Sequence, residues 1–132
     1  MSALLRPTNI GATLQLRNRN VDDLKPGPAS VEYYAQRATA GLIITEGVLP
    51  CPLETPWPYA PLMCSEEHPA AWASVVDAVH AKDGKIFMQA WHVGRNAGMD
   101  ELRVREAVEV FQRSAELAKR AGFDGVEVLA QG

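Results

Sequence analysis

The chain has 132 residues, 47% of them hydrophobic and 22% charged, with a net charge of −3. That is the composition of one soluble domain, here residues 1–132, and its mild acidity excludes the basic face that a nucleic-acid partner requires. No apolar run approaches a membrane span, and Arg6-Pro7 interrupts the only apolar stretch near the start, so neither a signal peptide nor a membrane partner is expected. Two cysteines, Cys51 and Cys64, make neither a disulfide framework nor a metal site. A reducing, cytoplasmic setting is the default; a bridge within their shared loop is conceivable, but free thiols are the expectation.

Residues 1–29 read as an irregular N-terminal segment, and Asp22 to Pro28 is turn chemistry throughout. Ser30 is placed to cap a short helix, SVEYYAQRATA, with Val31, Tyr34, Ala35 and Ala38 at helical spacing and Gly41 as its end. Leu42-Ile43-Ile44-Thr45 is a β-branched run of the kind found in strands buried on both faces, closed by Glu46-Gly47. A proline-rich loop over 48–64 carries Trp57 and Tyr59. These two could form a lid over a ligand, although loop anchors are the commoner role.

Ser65 is the expected cap of the second helix, about 66–82, with Glu66 and Glu67 in its first turn. Ala71, Trp72, Val75, Val76 and Val79 form its apolar face, and Asp83-Gly84 ends it. A strand over 85–90 runs into Gln89, Trp91, His92 and Arg95. A third helix, about 105–121, carries the stripe Ala107, Val108, Phe111, Ala115 and Ala118, with Gly122 as the residue just past its end. Gly125 to Leu129 is the last strand. This β/α alternation predicts about three adjacent parallel strands with right-handed crossovers, an α/β fold with its two long helices on one face.

Most single polar residues have ordinary explanations. His68, His80 and His92 lack a second ligand at metal spacing, so hydrogen-bonding or packing roles are expected. Glu46 reads as a satisfied structural carboxylate rather than a general base. Glu127 alternates with Val126 and Val128, which points it either into a barrel-like interior or to water. Arg103, Arg105, Arg113 and Arg120 are interspersed with glutamates and describe a solvated helix face, not a phosphate site.

Four blocks in order, EYYAQRATAGLIITEG, PWPYAP, SEEHPAAWASVVDAVHAKDGKIFMQAWHVGR and AGFDGVEV, resemble the Old Yellow Enzyme family. These are FMN-dependent, NAD(P)H-using ene-reductases on a (β/α)8 TIM barrel. The resemblance implies a partial barrel and reduction of activated C=C bonds in enone-type small molecules. It implies that Gln89 hydrogen-bonds the flavin's pyrimidine edge, that Gly47 lets the flavin approach the backbone, that Trp91 lines the substrate pocket, and that Arg95 shapes its loop. Gly47, Gln89 and Trp91 should then cluster at the C-terminal edge of the sheet, with Leu129 to Gln131 beside them.

The departures from the family matter as much. The "VMAPMT" part of its first strand is absent after Leu14 to Arg19, and only Asn96 to Val104 stand between the WHVGR block and the third helix. The "HGANGYL" stretch, with the carbonyl-gripping pair and the proton-donor tyrosine, has no counterpart after Val128, nor do the strands that bind the flavin phosphate. Such barrels typically need ~250 residues. The expectation is therefore an N-terminal part of the barrel with internal deletions and C-terminal truncation, its reductase activity impaired. A second reading is a non-catalytic truncated fragment or pseudoenzyme that self-associates as a homo-oligomer through open sheet edges.

Overall fold

The computed structural model describes residues 10–13, 23–52, 58–92 and 101–130. In order, β1 (Ile10–Thr13) is followed by α1 (Pro28–Ala35), a 3-10 turn (Ala38–Ala40), β2 (Leu42–Val48), α2 (His68–His80), β3 (Ile86–His92), α3 (Glu101–Arg120) and β4 (Gly125–Ala130). The strands form one sheet in the order β1-β2-β3-β4, and every neighbouring pair is parallel. The predicted adjacency and direction of the last three strands hold. Among the described residues the sheet has four strands rather than three, and residues 1–29 are not wholly irregular, because β1 pairs with β2 through Ile10↔Leu42 and Thr13↔Ile44.

Both predicted serine caps are corrected. Gly27 is the N-cap of α1, and Pro28 takes the first turn, where its fixed φ suits the helix and its missing N–H costs nothing. Ser30 lies buried inside the helix. Glu67 stands at the N-cap of α2 without a side-chain capping bond, so Glu66 and Glu67 precede the first turn, into which Pro69 is built. Ser65 instead meets His68, whose Nδ1 lies 3.1 Å from the Ser65 backbone nitrogen and 2.6 Å from its hydroxyl. The first helix also stops five residues early, at Ala35, and α3 begins at Glu101, a turn before the sequence suggested.

The predicted stops of the second and third helices hold with one refinement. Gly122 has φ +91°, and the bonds Gly122 N–H to Lys119 C=O and Phe123 N–H to Ala118 C=O complete a Schellman end. At the end of α2, Asp83 takes the left-handed conformation, with φ 56°. Gly84 is needed for space: a Cβ there would lie 2.6 Å from the Ala38 carbonyl oxygen and 2.8 Å from Val79 Cγ1.

One apolar cluster fills the layer between the helices and one face of the sheet. Tyr34 of α1, Trp72, Val75, Val76 and Val79 of α2, and Leu117 and Ala118 of α3 pack with Ile43, Val48, Ile86, Met88 and Ala90 of the strands. Trp72 is fully buried, and its indole N–H donates to the Leu62 carbonyl at 3.3 Å. Strand alternation turns Ile44, Phe87, Gln89, Trp91, Glu127 and Leu129 to the opposite face.

The rim where β3 and β4 begin is fastened by Asp124. Its carboxylate accepts from Ile86 N–H at 2.9 Å and Lys85 Nζ at 2.9 Å, and it lies 2.8 Å from His80 Nε2. Burial opposes ionisation, but these partners outweigh it and hold the carboxyl at about 2.

Candidate active site

The rim where the strands end holds the residues singled out from the sequence, and a break in the β2–β3 register brings them together. Ile44 stands opposite Phe87, yet Gly47 stands opposite Gln89, so Thr45 and Glu46 together face only Met88. This is a β-bulge, a device that re-aims the residues beyond it. Without it Gly47 would share the helix-facing side with Ile43 and Thr45. With it Gly47 joins Gln89 and Trp91.

Side chains replace the ladder bonds that the bulge removes. Thr45 Oγ1 accepts from Gln89 N–H at 3.0 Å and donates to the Glu46 carbonyl at 2.8 Å. Glu46 N–H donates to the Tyr34 hydroxyl at 3.1 Å. Both Thr45 and Tyr34 are fully buried. Burial, aided by the nearby Glu46 carboxylate, pushes the Tyr34 phenol far above its ordinary range, so it stays neutral and fixed.

A Cβ on Gly47 would lie 3.2 Å from Trp91 Cε3 and 3.3 Å from Trp91 Cβ, so the half-buried indole lies across the glycine. Gln89 Nε2 donates to Glu127 Oε1 at 2.6 Å, across a directly opposed β3–β4 pair. Trp91 stands opposite Leu129 in the same ladder. Gly47, Gln89 and Trp91 thus share one rim and one face, with Leu129 beside them and Glu127 added. Gln131, Trp57 and Arg95 lie outside the described residues.

The other candidates sit elsewhere. His92 is buried on the helix side, its ring 6.1 Å from that of Phe111, and burial lowers its basicity. Burial also lowers that of His68. Tyr59 is 48% exposed. Arg120 pairs with Glu66 at 2.6 Å on the solvated face predicted for it. Two clefts of about 430 and 420 Å3, one lined by charged residues of α3 and one between α1 and α2, are lined by none of Gly47, Gln89 and Trp91. Among the described residues no cluster of three His, Cys, Asp or Glu side chains could hold a metal, and no helix is long and apolar enough to cross a membrane.

A parallel β/α sheet with its polar residues gathered where the strands end is part of a barrel enzyme scaffold with a ligand rim. The chain belongs to the NADH:flavin oxidoreductase / NADH oxidase family, whose model matches residues 4–106; this is the Old Yellow Enzyme family. It is 54% identical over 71 residues to 12-oxophytodienoate reductase 7 of Oryza sativa subsp. japonica, covering 53% of this chain and 18% of that protein. It is 37% identical to putative 12-oxophytodienoate reductase 12 of the same organism, over 86% of this chain and 36% of that protein. A variant of NCR from Zymomonas mobilis superposes with a TM-score of 0.81 at 39% identity, covering 89% of this chain and 38% of that chain. Morphinone reductase in complex with tetrahydroNAD follows at 0.78 and 30%, covering 88% and 44%.

The chain therefore spans less than half the length of these relatives. The alignment with reductase 12 runs over 147 positions, more than this chain's 132 residues, so the relative carries extra residues within the matched region. That agrees with the internal deletions expected from the sequence.

The rim can be tested against the flavin that the family uses. An amide beside a residue without a side chain suits a planar ring with an imide edge, because the amide offers both a donor and an acceptor. Gln89 and Gly47 fit that part of FMN.

Proposed function

We propose that this chain is built for FMN-dependent NAD(P)H oxidoreduction of the ene-reductase type, acting on activated C=C bonds of small enones. The observation that carries the reading is the bulge that sets Gly47 beside Gln89 and beneath Trp91 at the strand ends. Gln89 would hold the pyrimidine edge of the flavin, Gly47 would leave room for the ring, and Trp91 would wall the substrate pocket. Bound FMN would supply hydride transfer from the nicotinamide to the alkene β-carbon. The residues of this chain bind, orient and exclude water; none of those described on this rim is assigned as the proton donor. A cytoplasmic location fits the reductant.

The rate of the 132-residue chain with added FMN is expected to stay near that of free flavin. Misplacement by ~1 Å can cost roughly a hundredfold, and each missing preorganised donor on the order of 10²–10³. The test is flavin fluorescence titration together with NADPH-dependent reduction of cyclohexenone. Saturable FMN binding that is lost in Gln89→Ala supports the reading, and no binding in the parent chain overturns it. Turnover well above free FMN would show that the chain is a competent enzyme and that the expected impairment is wrong.

A second reading, a non-catalytic chain that self-associates, is favoured by one observation. Val104 and Val108 on α3 and Val128 on β4 are 49%, 63% and 59% exposed on adjoining elements. Light scattering coupled to gel filtration decides it: a monomer at micromolar concentration removes that reading.

A further inference from the structure

We propose that Glu127 is a positioning residue that fixes which way the Gln89 amide faces, and so sets the donor–acceptor pattern shown to a ligand. The inference rests on the flavin reading for the identity of that ligand, but not for the lock itself.

A side-chain amide has two ends of similar shape and opposite character, and nothing in its own structure decides its flip. A carboxylate can only accept. Glu127 Oε1 lies 2.6 Å from Gln89 Nε2, and the two residues stand directly opposite each other in the β3–β4 ladder. The amide must therefore turn its NH2 towards β4. A bond this short with an ionised acceptor is of the strong, charge-assisted kind.

The backbone of Gln89 is held as well, since its N–H donates to the buried Thr45 hydroxyl. Both ends of the residue are fixed, from β2 on one side and β4 on the other. What remains of the amide is its carbonyl oxygen and one N–H. That pair matches a ligand edge with an N–H next to a C=O, an imide or lactam. Glu127 also places a carboxylate beside the edge, which disfavours an anionic ligand and selects the neutral, N–H-bearing imide.

The proposal predicts an asymmetry that a merely structural glutamate would not give. In the Glu127→Gln protein the new amide can offer either end, so the flip of Gln89 is no longer dictated. Stability should change little, because size and burial are kept. Riboflavin and FMN should bind roughly tenfold more weakly, the worth of one oriented hydrogen bond.

The experiment is nitrogen–proton NMR of the Gln89 side-chain amide in the parent chain and in Glu127→Gln, with a flavin titration of both. The expected result is a widely split NH2 pair, one proton shifted far downfield, which collapses towards the free-amide pattern in Glu127→Gln. Should that variant fail to fold, Glu127→Asp gives the same information, because withdrawing the carboxylate by one methylene lengthens the bond to Gln89 Nε2 and should shrink the splitting. An amide with free-amide shifts in the parent chain, or one indifferent to Glu127, overturns the proposal. Absence of flavin binding with the splitting intact overturns the flavin reading and leaves the lock standing.

Discussion

Thr45→Val isolates the hydrogen bonds that hold the bulge. The two side chains have nearly the same shape, so the substitution opens no cavity in a site where Thr45 is fully buried. It removes the acceptor of Gln89 N–H, at 3.0 Å, and the donor to the Glu46 carbonyl, at 2.8 Å. Leaving a buried N–H unsatisfied costs about 1–3 kcal/mol, against a small gain from the added methyl; a loss of about 2 kcal/mol is expected. The control is Thr45→Ser, which keeps both bonds and loses one methyl, at about 1 kcal/mol. At roughly 4 °C per kcal/mol for a chain of this size, the valine protein should melt about 8 °C lower and the serine protein about 4 °C lower. Thermal unfolding followed by circular dichroism reads both. If serine costs as much as valine or more, the methyl rather than the hydroxyl holds the bulge, and this account of how Gly47 reaches the site is wrong.

Gly84→Ala should cost about 2 kcal/mol in chemical denaturation, because the new Cβ meets the Ala38 backbone oxygen at 2.6 Å and neither backbone can yield cheaply. Ser114→Ala should be neutral or stabilising by up to about 1 kcal/mol, since the buried Ser114 hydroxyl has no hydrogen-bond partner among the described residues and alanine favours the helix; a loss above 1 kcal/mol would reveal a bond to that hydroxyl. Asp124→Asn should cost about 1 kcal/mol near neutral pH, after allowance for solvent screening. The Asp124 carboxyl sits at about 2 in the folded chain against an ordinary 3.8, so its stabilisation is complete above 3.8 and lost as pH falls through 2. Urea melts of parent and variant should therefore converge over that window, and a constant gap would reject the assignment. Cys51 and Cys64 are both free, and burial raises both thiols, so each should react with an alkylating reagent at pH 7.5 more slowly than a free model thiol.

The long elements were legible because each carries its own period. Trp72, Val75, Val76 and Val79 mark α2 without help from the rest of the chain, and the Ile43 and Ile86 runs mark their strands. What the sequence hid is what arises between elements. β1 is only Ile-Gly-Ala-Thr, too short to show alternation, and is a strand by virtue of its partner. Ser30 and Ser65 have cap chemistry, but a proline in the first turn fixes each helix start elsewhere. The bulge leaves no trace in LIITEG, because Thr45 continues a β-branched run while its hydroxyl does the work of a backbone carbonyl. Alternation alone allowed an inward Glu127; only the register showed that it meets Gln89.

The Asp124 clasp bears on how such a chain tolerates changes in length. A strand slipped by one residue exchanges its two faces. By gripping the first residue of β3 from the foot of β4, Asp124 sets the count before either strand reaches the opposite rim. A residue gained or lost between Ile86 and Gln89, or between Asp124 and Glu127, would turn Gln89 or Glu127 into the helix layer. Residues gained or lost between His92 and Glu101 leave the count untouched. Lineages can therefore lengthen or shorten the connection after β3 freely, whereas the short stretches counted from Ile86 and from Asp124 must keep their number.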